Sequence, residues 1–247
     1  LTWSEAKNIE SFEAADEWAY GETVRGFRNI DRDQSNVWTM NEATYPGKGM
    51  PKAFQVFCAE GIDNPLLTAH TGTQYMLGMS SRQGVTDDWL ISPEVKGGTE
   101  MSFWLDVLDP QYPETIYVMV SKTGNDPDDF VQLEDGEITP ESREWRQYTF
   151  KLPSDAKYFA LWHNGHNGAN QFGVRIDDIA FEPARSLADI DGYNVYRDGV
   201  HVASALKATS YVDKDVDASA PVQYVVRTTG MLNGERVESE RSNVVWV

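Results

Sequence analysis

At 247 residues, 40% of them hydrophobic and 12% aromatic, the chain can bury one large core or two modest ones, which excludes a disordered polymer. Asp and Glu total 39 against 21 Lys and Arg, a formal charge of −18 that argues against nucleic acid and anionic membranes as partners and favours cations, calcium above all. The single cysteine, Cys58, excludes an intramolecular disulfide and a thiolate metal cluster, and no stretch approaches the ~18 apolar residues of a membrane span.

Leu1-Thr2-Trp3 reads as the end of a short strand and Ile9 to Phe12 as a second one. Leu1 does not open a signal peptide, so the chain is expected to be a mature or trimmed piece. Phe27 to Trp38 places Asp31 and Asp33 two apart beyond an apolar strand, where acids can either cap backbone amides or aim oxygens at one cation. Ala43 to Pro51 and Ile62 to Gly72 are loops around a strand at Ala53 to Cys58. Strands follow at Gln74 to Met79, Asp87 to Pro93, Glu100 to Leu108, Ile116 to Lys122, Phe130 to Leu133, Glu144 to Leu152 and Lys157 to His163. Each is rich in Val, Ile, Tyr, Trp and Phe, and turn signals such as Asp109-Pro110 separate them. No segment holds a helical period for ten residues, so the expected class is all-β, an antiparallel sandwich.

Gly173 to Pro183 is a strand with two adjacent acids, Asp177 and Asp178, stopped by its proline. Period-2 alternation sets Asp178 on the face opposite Ile179 and Phe181, which ranks it ahead of Asp177 as a rim carboxylate without excluding either. Beyond it the composition changes. Tyr193 to Val202 reads as a hairpin turning at Asp198-Gly199, and strands are expected at Ser210 to Asp213, Val222 to Thr228 and Asn243 to Val247.

Several landmarks in order, Ser11-Phe12-Glu13, Ile30-Asp31-Arg32-Asp33 before Trp38, Ala69-His70-Thr71-Gly72, Asp87 to Pro93, Met101 to Trp104, Tyr117 to Ser121 with Thr123-Gly124, and Ile176 to Phe181, make residues 9–182 resemble the cleaved-adhesin or choice-of-anchor J jelly-roll modules of Bacteroidetes surface proteins, found in gingipain haemagglutinin regions. The resemblance implies a galactose-binding-like or MAM-like jelly roll with a structural calcium held by Glu13, Asp31, Asp33 and Asp177 or Asp178. The family loop is often richer in acids and glycines than this one, where Arg32 and Gln34 stand. The tail, through Tyr193 to Gly199, Thr209 to Asp213, Tyr224-Val225-Val226 and Glu238 to Asn243, resembles the later strands of a fibronectin type III domain. Two domains are therefore expected, a jelly roll at 8–183 and a smaller fibronectin III-like sandwich at 184–247; either the jelly roll is inserted and residues 1–7 complete the second domain, with Trp3 under Tyr193 and Tyr224, or the tail is a truncated or atypical module.

No Gly-x-Ser-x-Gly elbow accompanies the serines and histidines, so no hydrolase triad is assigned. Trp104 and Trp162 can offer a sugar platform, with His163 and Asn164 supplying polar groups. The expected function is a non-enzymatic, secreted or cell-surface binding and adhesion module, monomeric, recognising a glycan or a host protein. The alternative is a carbohydrate-binding accessory module of a larger hydrolase.

Overall fold

In the computed structural model, residues 9–41, 43–60, 62, 64–165, 172–184, 190–216, 220–232, 235–239, 241–242 and 244–247 are described. The chain divides near Ala184 into two compact units.

The first unit is built from β1 (Ile9–Glu10), β2 (Thr23–Val24), β3 (Phe27–Asp31), β4 (Phe54–Cys58), β5 (Gln74–Met79), β6 (Asp87–Ile91), β7 (Glu100–Val107), β8 (Ile116–Ser121), β9 (Val131–Ile138), β10 (Arg146–Lys151), β11 (Tyr158–Asn164) and β12 (Gly173–Ala180). One antiparallel sheet runs β10-β7-β12-β5-β4, with β1 on β12, and the other runs β2-β3-β6-β11-β8-β9. The non-sequential order makes this a jelly-roll sandwich. The core lies between the sheets, where alternate residues such as Phe54, Val56 and Met76 of the first meet Leu90, Val118, Phe159 and Leu161 of the second. Asn29 crosses the gap. Its Nδ2 donates to the Phe54 carbonyl at 2.8 Å while its Oδ1 accepts from the Phe54 amide at 3.0 Å, so a buried amide is paired on both sides.

The stretches read as plain loops at 43–51 and 62–72 do more than connect. Val37, Met40, Ala43, Tyr45 and Leu67 lie over Phe57, Tyr75, Leu77 and Met79, so the first sheet is buried on its outer face as well. Under that cover Arg175 pairs with Asp106, through Nε at 2.7 Å and through Nη2, and stands between the rings of Tyr75 and Trp145. Cys58 is buried at the end of β4.

The second unit holds β13 (Ile190–Arg197), β14 (Val200–Leu206), β15 (Gln223–Leu232), β16 (Glu235–Glu238) and β17 (Val245–Trp246) in one antiparallel sheet ordered β14-β13-β15-β16, with β17 also on β15. The β13–β14 turn has Asp198 at φ +49° and Gly199 at +78°, the positive pair that this dipeptide favours. Residues 211–213 form no strand, unlike the expectation. Asp213 is held by side chains instead, accepting from Arg197 Nη1 at 2.9 Å and the Tyr224 hydroxyl at 2.8 Å. Trp3 and the suggested completion by residues 1–7 lie outside the described residues.

Candidate metal centre

β3, β6 and β11 lie side by side, and their register sets Asp31 opposite Asp88 and Asp88 opposite His163. Because strand side chains alternate, Asp88 follows Leu90 into the sandwich, whereas Asp87 and Trp89 face outward. Asp88 is 1% exposed, and neither of its carboxylate oxygens has a hydrogen-bond partner among the described residues. Just beyond β3, Asp33 stands beside Asp88, and the chain then turns at Gln34, φ +51°. Asp33 accepts from the Ser81 hydroxyl at 2.8 Å and from the Ser35 and Asp87 amides, each at 2.8 Å, so it joins the loop to the start of β6. Asp31 accepts from the Gln34 amide at 2.6 Å. One oxygen from each of Asp31, Asp33 and Asp88 falls within 4.8 Å of the other two.

Burial, followed by the charges of Asp33, Asp31 and Asp87, pushes the Asp88 carboxyl well above the usual carboxylate range. Burial also raises Asp31, with Asp33 adding to it. A buried carboxylate without donors is costly, and with two more carboxylates converging on Asp88 a shared proton or a cation would relieve the repulsion. An all-oxygen donor set suits a hard cation, and calcium takes about 6–8 oxygens that carbonyls and water can complete. The residues present therefore fit calcium.

The expected ligand set does not come together as one site. Asp177 and Asp178 sit at the far end of β12 on the first sheet, with His70, and form a separate group. There the carboxylates are already engaged. Asp177 accepts from the amides of His70 at 3.0 Å, Thr71 at 3.2 Å and Asp178 at 2.7 Å, and Asp178 meets His70 Nδ1 at 2.6 Å and the Thr71 hydroxyl at 2.9 Å. Burial, then Asp178, raises Asp177 to about 8. Glu13 joins neither group. Its Oε1 accepts from the Thr73 and Gln74 amides at 2.8 and 2.6 Å, which fastens the 70–74 loop. Asp178 lies opposite the core-facing Ile179, and what alternation does not show is that Asp177 shares its side. Asp178 takes φ +46°, and the β12–β7 register shifts between Asp177 and Ala180, so a bulge turns both acids toward the His70 loop.

Asp88 and His70 were missed as site residues. Asp88 was legible, since a strand DDWLI that buries Leu must bury the second Asp with it; His70 reaches Asp178 only through long-range packing.

The expected sugar residues are also separated. Trp104, on the first sheet, stacks on His70 with ring centres 3.7 Å apart. Trp162, on the second, stacks on Trp89 at 5.0 Å and leans on Tyr117 at 5.2 Å. The Trp162 and Trp89 indoles both donate to Asp87 Oδ1, at 2.8 and 2.7 Å. His163 is fully buried and holds Glu114 through Nε2 at 2.8 Å, which removes it as a sugar contact. Asn164 faces outward opposite Asp87 and is partly exposed.

Residues 31–181 match the profile of the Cleaved Adhesin Domain. Among curated proteins, Gingipain R1 of Porphyromonas gingivalis is 28% identical over 211 residues, covering 76% of this chain and 12% of that protein. Protease PrtH of the same organism is 29% identical over 212 residues, covering 76% of this chain and 20% of that protein. The chain thus spans a fifth or less of these relatives. Among solved structures, the K2 Cleaved Adhesin Domain of Lys-gingipain aligns with TM-score 0.55 and 25% identity, covering 72% of this chain and 98% of that domain. The K1 domain of Lys-gingipain from Porphyromonas gingivalis W83 aligns at 0.52 with 21% identity, over 73% of this chain and 99% of that domain.

Proposed function

Since the chain belongs to the Cleaved Adhesin Domain family, we propose that it is a secreted or surface-displayed module that binds a glycan or an extracellular protein, without chemistry of its own, and that a structural calcium braces its jelly roll. The observation that carries the calcium reading is the orphaned carboxylate of Asp88 beside Asp31 and Asp33. When bound, the cation supplies positive charge to carboxylates that otherwise repel. The chain's own part is to tie Asp33 to Ser81 and the Asp87 amide and to bury Asp88 beside it. The smaller unit is read as fibronectin III-like, supported by its β14-β13-β15-β16 order.

Metal-free protein is titrated with calcium while its melting temperature is followed. The expected result is a rise with calcium concentration, as for any ligand of the folded state alone, that disappears in Asp88→Asn and Asp33→Asn. A melting temperature indifferent to both calcium and chelator would defeat the calcium reading.

An accessory role in a larger hydrolase has its own support, because proteases named gingipain and PrtH contain segments similar to this chain. In that setting the module would hold its enzyme on a target, and deleting it should lower activity on surface-bound substrate while sparing a small soluble one.

A further inference from the structure

We propose that the outer face of the second sheet at Trp162 and Tyr117 is the ligand site of this module and that it takes a neutral oligosaccharide; the inference rests on the binding-module reading. Cross-strand register sets Ile30 of β3, Trp89 of β6, Trp162 of β11, Tyr117 of β8 and Glu137 of β9 in one row across five strands, perpendicular to their direction. Such a row is the natural track for an extended chain of rings, because each strand presents one side chain to it.

Its parts are unequally covered. Phe130 packs on Trp89 with ring centres 5.8 Å apart, and Arg28 and Arg32 tie down the segment that leads to Phe130 by bonding Asn125 at 2.9 Å and Asp128 at 2.9 Å. Trp89 is thereby buried, while Trp162 and Tyr117 keep part of their surface in solvent. Asp87 takes both indole N–H groups on one oxygen, so the Trp162 ring is held in place before any ligand arrives. Pre-set aromatics lose little conformational freedom on binding. The adjacent outward row carries Asn164 opposite Asp87, an amide that donates and accepts beside a carboxylate that accepts. Hydroxyl groups on an otherwise apolar ring satisfy both sets.

Charge decides against the alternatives. Glu137 and Asp87 border the row, the Arg32 guanidinium is already paired with Asp128 at 2.9 Å, and the chain carries −18, so sulfated and uronic chains are repelled. The polar fringe suits a polyol better than an apolar peptide.

The full chain, in calcium, is titrated by calorimetry and tryptophan emission with gluco-, galacto- and xylo-configured neutral hexaoses, with oligogalacturonate and a heparin hexasaccharide as anionic counterparts. At least one neutral hexaose should bind with a change in emission. Tyr117→Ala and Trp162→Phe, the second chosen because it preserves a packed ring, should each weaken binding tenfold or more with the melting transition retained. The proposal is overturned if every neutral hexaose fails to bind, if the anionic chains bind more tightly, or if binding survives both variants and is lost in Trp104→Ala. In that last case, or if an extracellular protein binds while no hexaose does, the module reading stands and this face does not carry it.

Discussion

Asp88 is the residue at which the molecule is least content. A buried carboxyl whose oxygens find no donor among the described residues binds a proton more tightly folded than unfolded, so its folded pKa stands well above the ordinary carboxylate value. Stability attached to such a group is present in acid and is lost as pH rises from the unfolded value through the raised one. In calcium-free buffer the wild-type protein should therefore lose stability as pH rises above about 4, whereas Asp88→Asn should give a flatter profile and greater stability at neutral pH. Urea unfolding at a series of pH values checks both, and a calcium-free profile that is the same in the two proteins would remove Asp88 from the account. The amide should also lose the calcium response, so one substitution raises metal-free stability and abolishes the metal's gain.

At the scale of elements, two Asp-Asp doublets show what the sequence reveals and where it stops. In β6 the alternation is regular, so Asp88 goes in with Leu90 and Asp87 goes out with Trp89, as a reading of DDWLI allows. In β12 the positive φ at Asp178 breaks the period, and a non-glycine bulge of that kind has no signal in GVRIDDIAFEP. The strands and the hairpin at Asp198-Gly199 were legible because β-branched runs and turn dipeptides act locally. The grouping of charged side chains was not, because Asp31 meets Asp88, and Arg175 meets Asp106, only through the pairing and register of strands far apart in sequence. That last pair joins β7 to β12, and Arg175 also donates to the Thr68 carbonyl at 3.0 Å, which fastens the cover. Removing Asp106 alone leaves a buried guanidinium unpaired, so Asp106→Ala should cost about 3–5 kcal/mol, while Asp106→Leu with Arg175→Met should recover most of it. Denaturant midpoints for the single and double variants measure the difference.

For the whole molecule, a charge of −18 works against compactness, and general salt and a specific cation relieve it differently. Calcium should raise the melting temperature of a protein made of residues 8–184 as much as that of the full chain, since every residue of the centre lies in that unit. Sodium chloride at equal ionic strength should give a smaller shift, and equal shifts would assign the effect to screening alone. The outer side of β4 has a use of a different kind. Residues 18 and 19 close it, with the Val56 amide donating to the Ala19 carbonyl at 2.8 Å and Gln55 Nε2 to the Trp18 carbonyl at 2.9 Å. Cys58, the single thiol of the chain, ends that same strand at 4% exposure, and burial raises its pKa further from reactivity. A bulky thiol reagent can then label the protein only when the structure around the end of β4 opens, so the labelling half-life is a clock for the breathing of one identified strand end, read without introducing any probe.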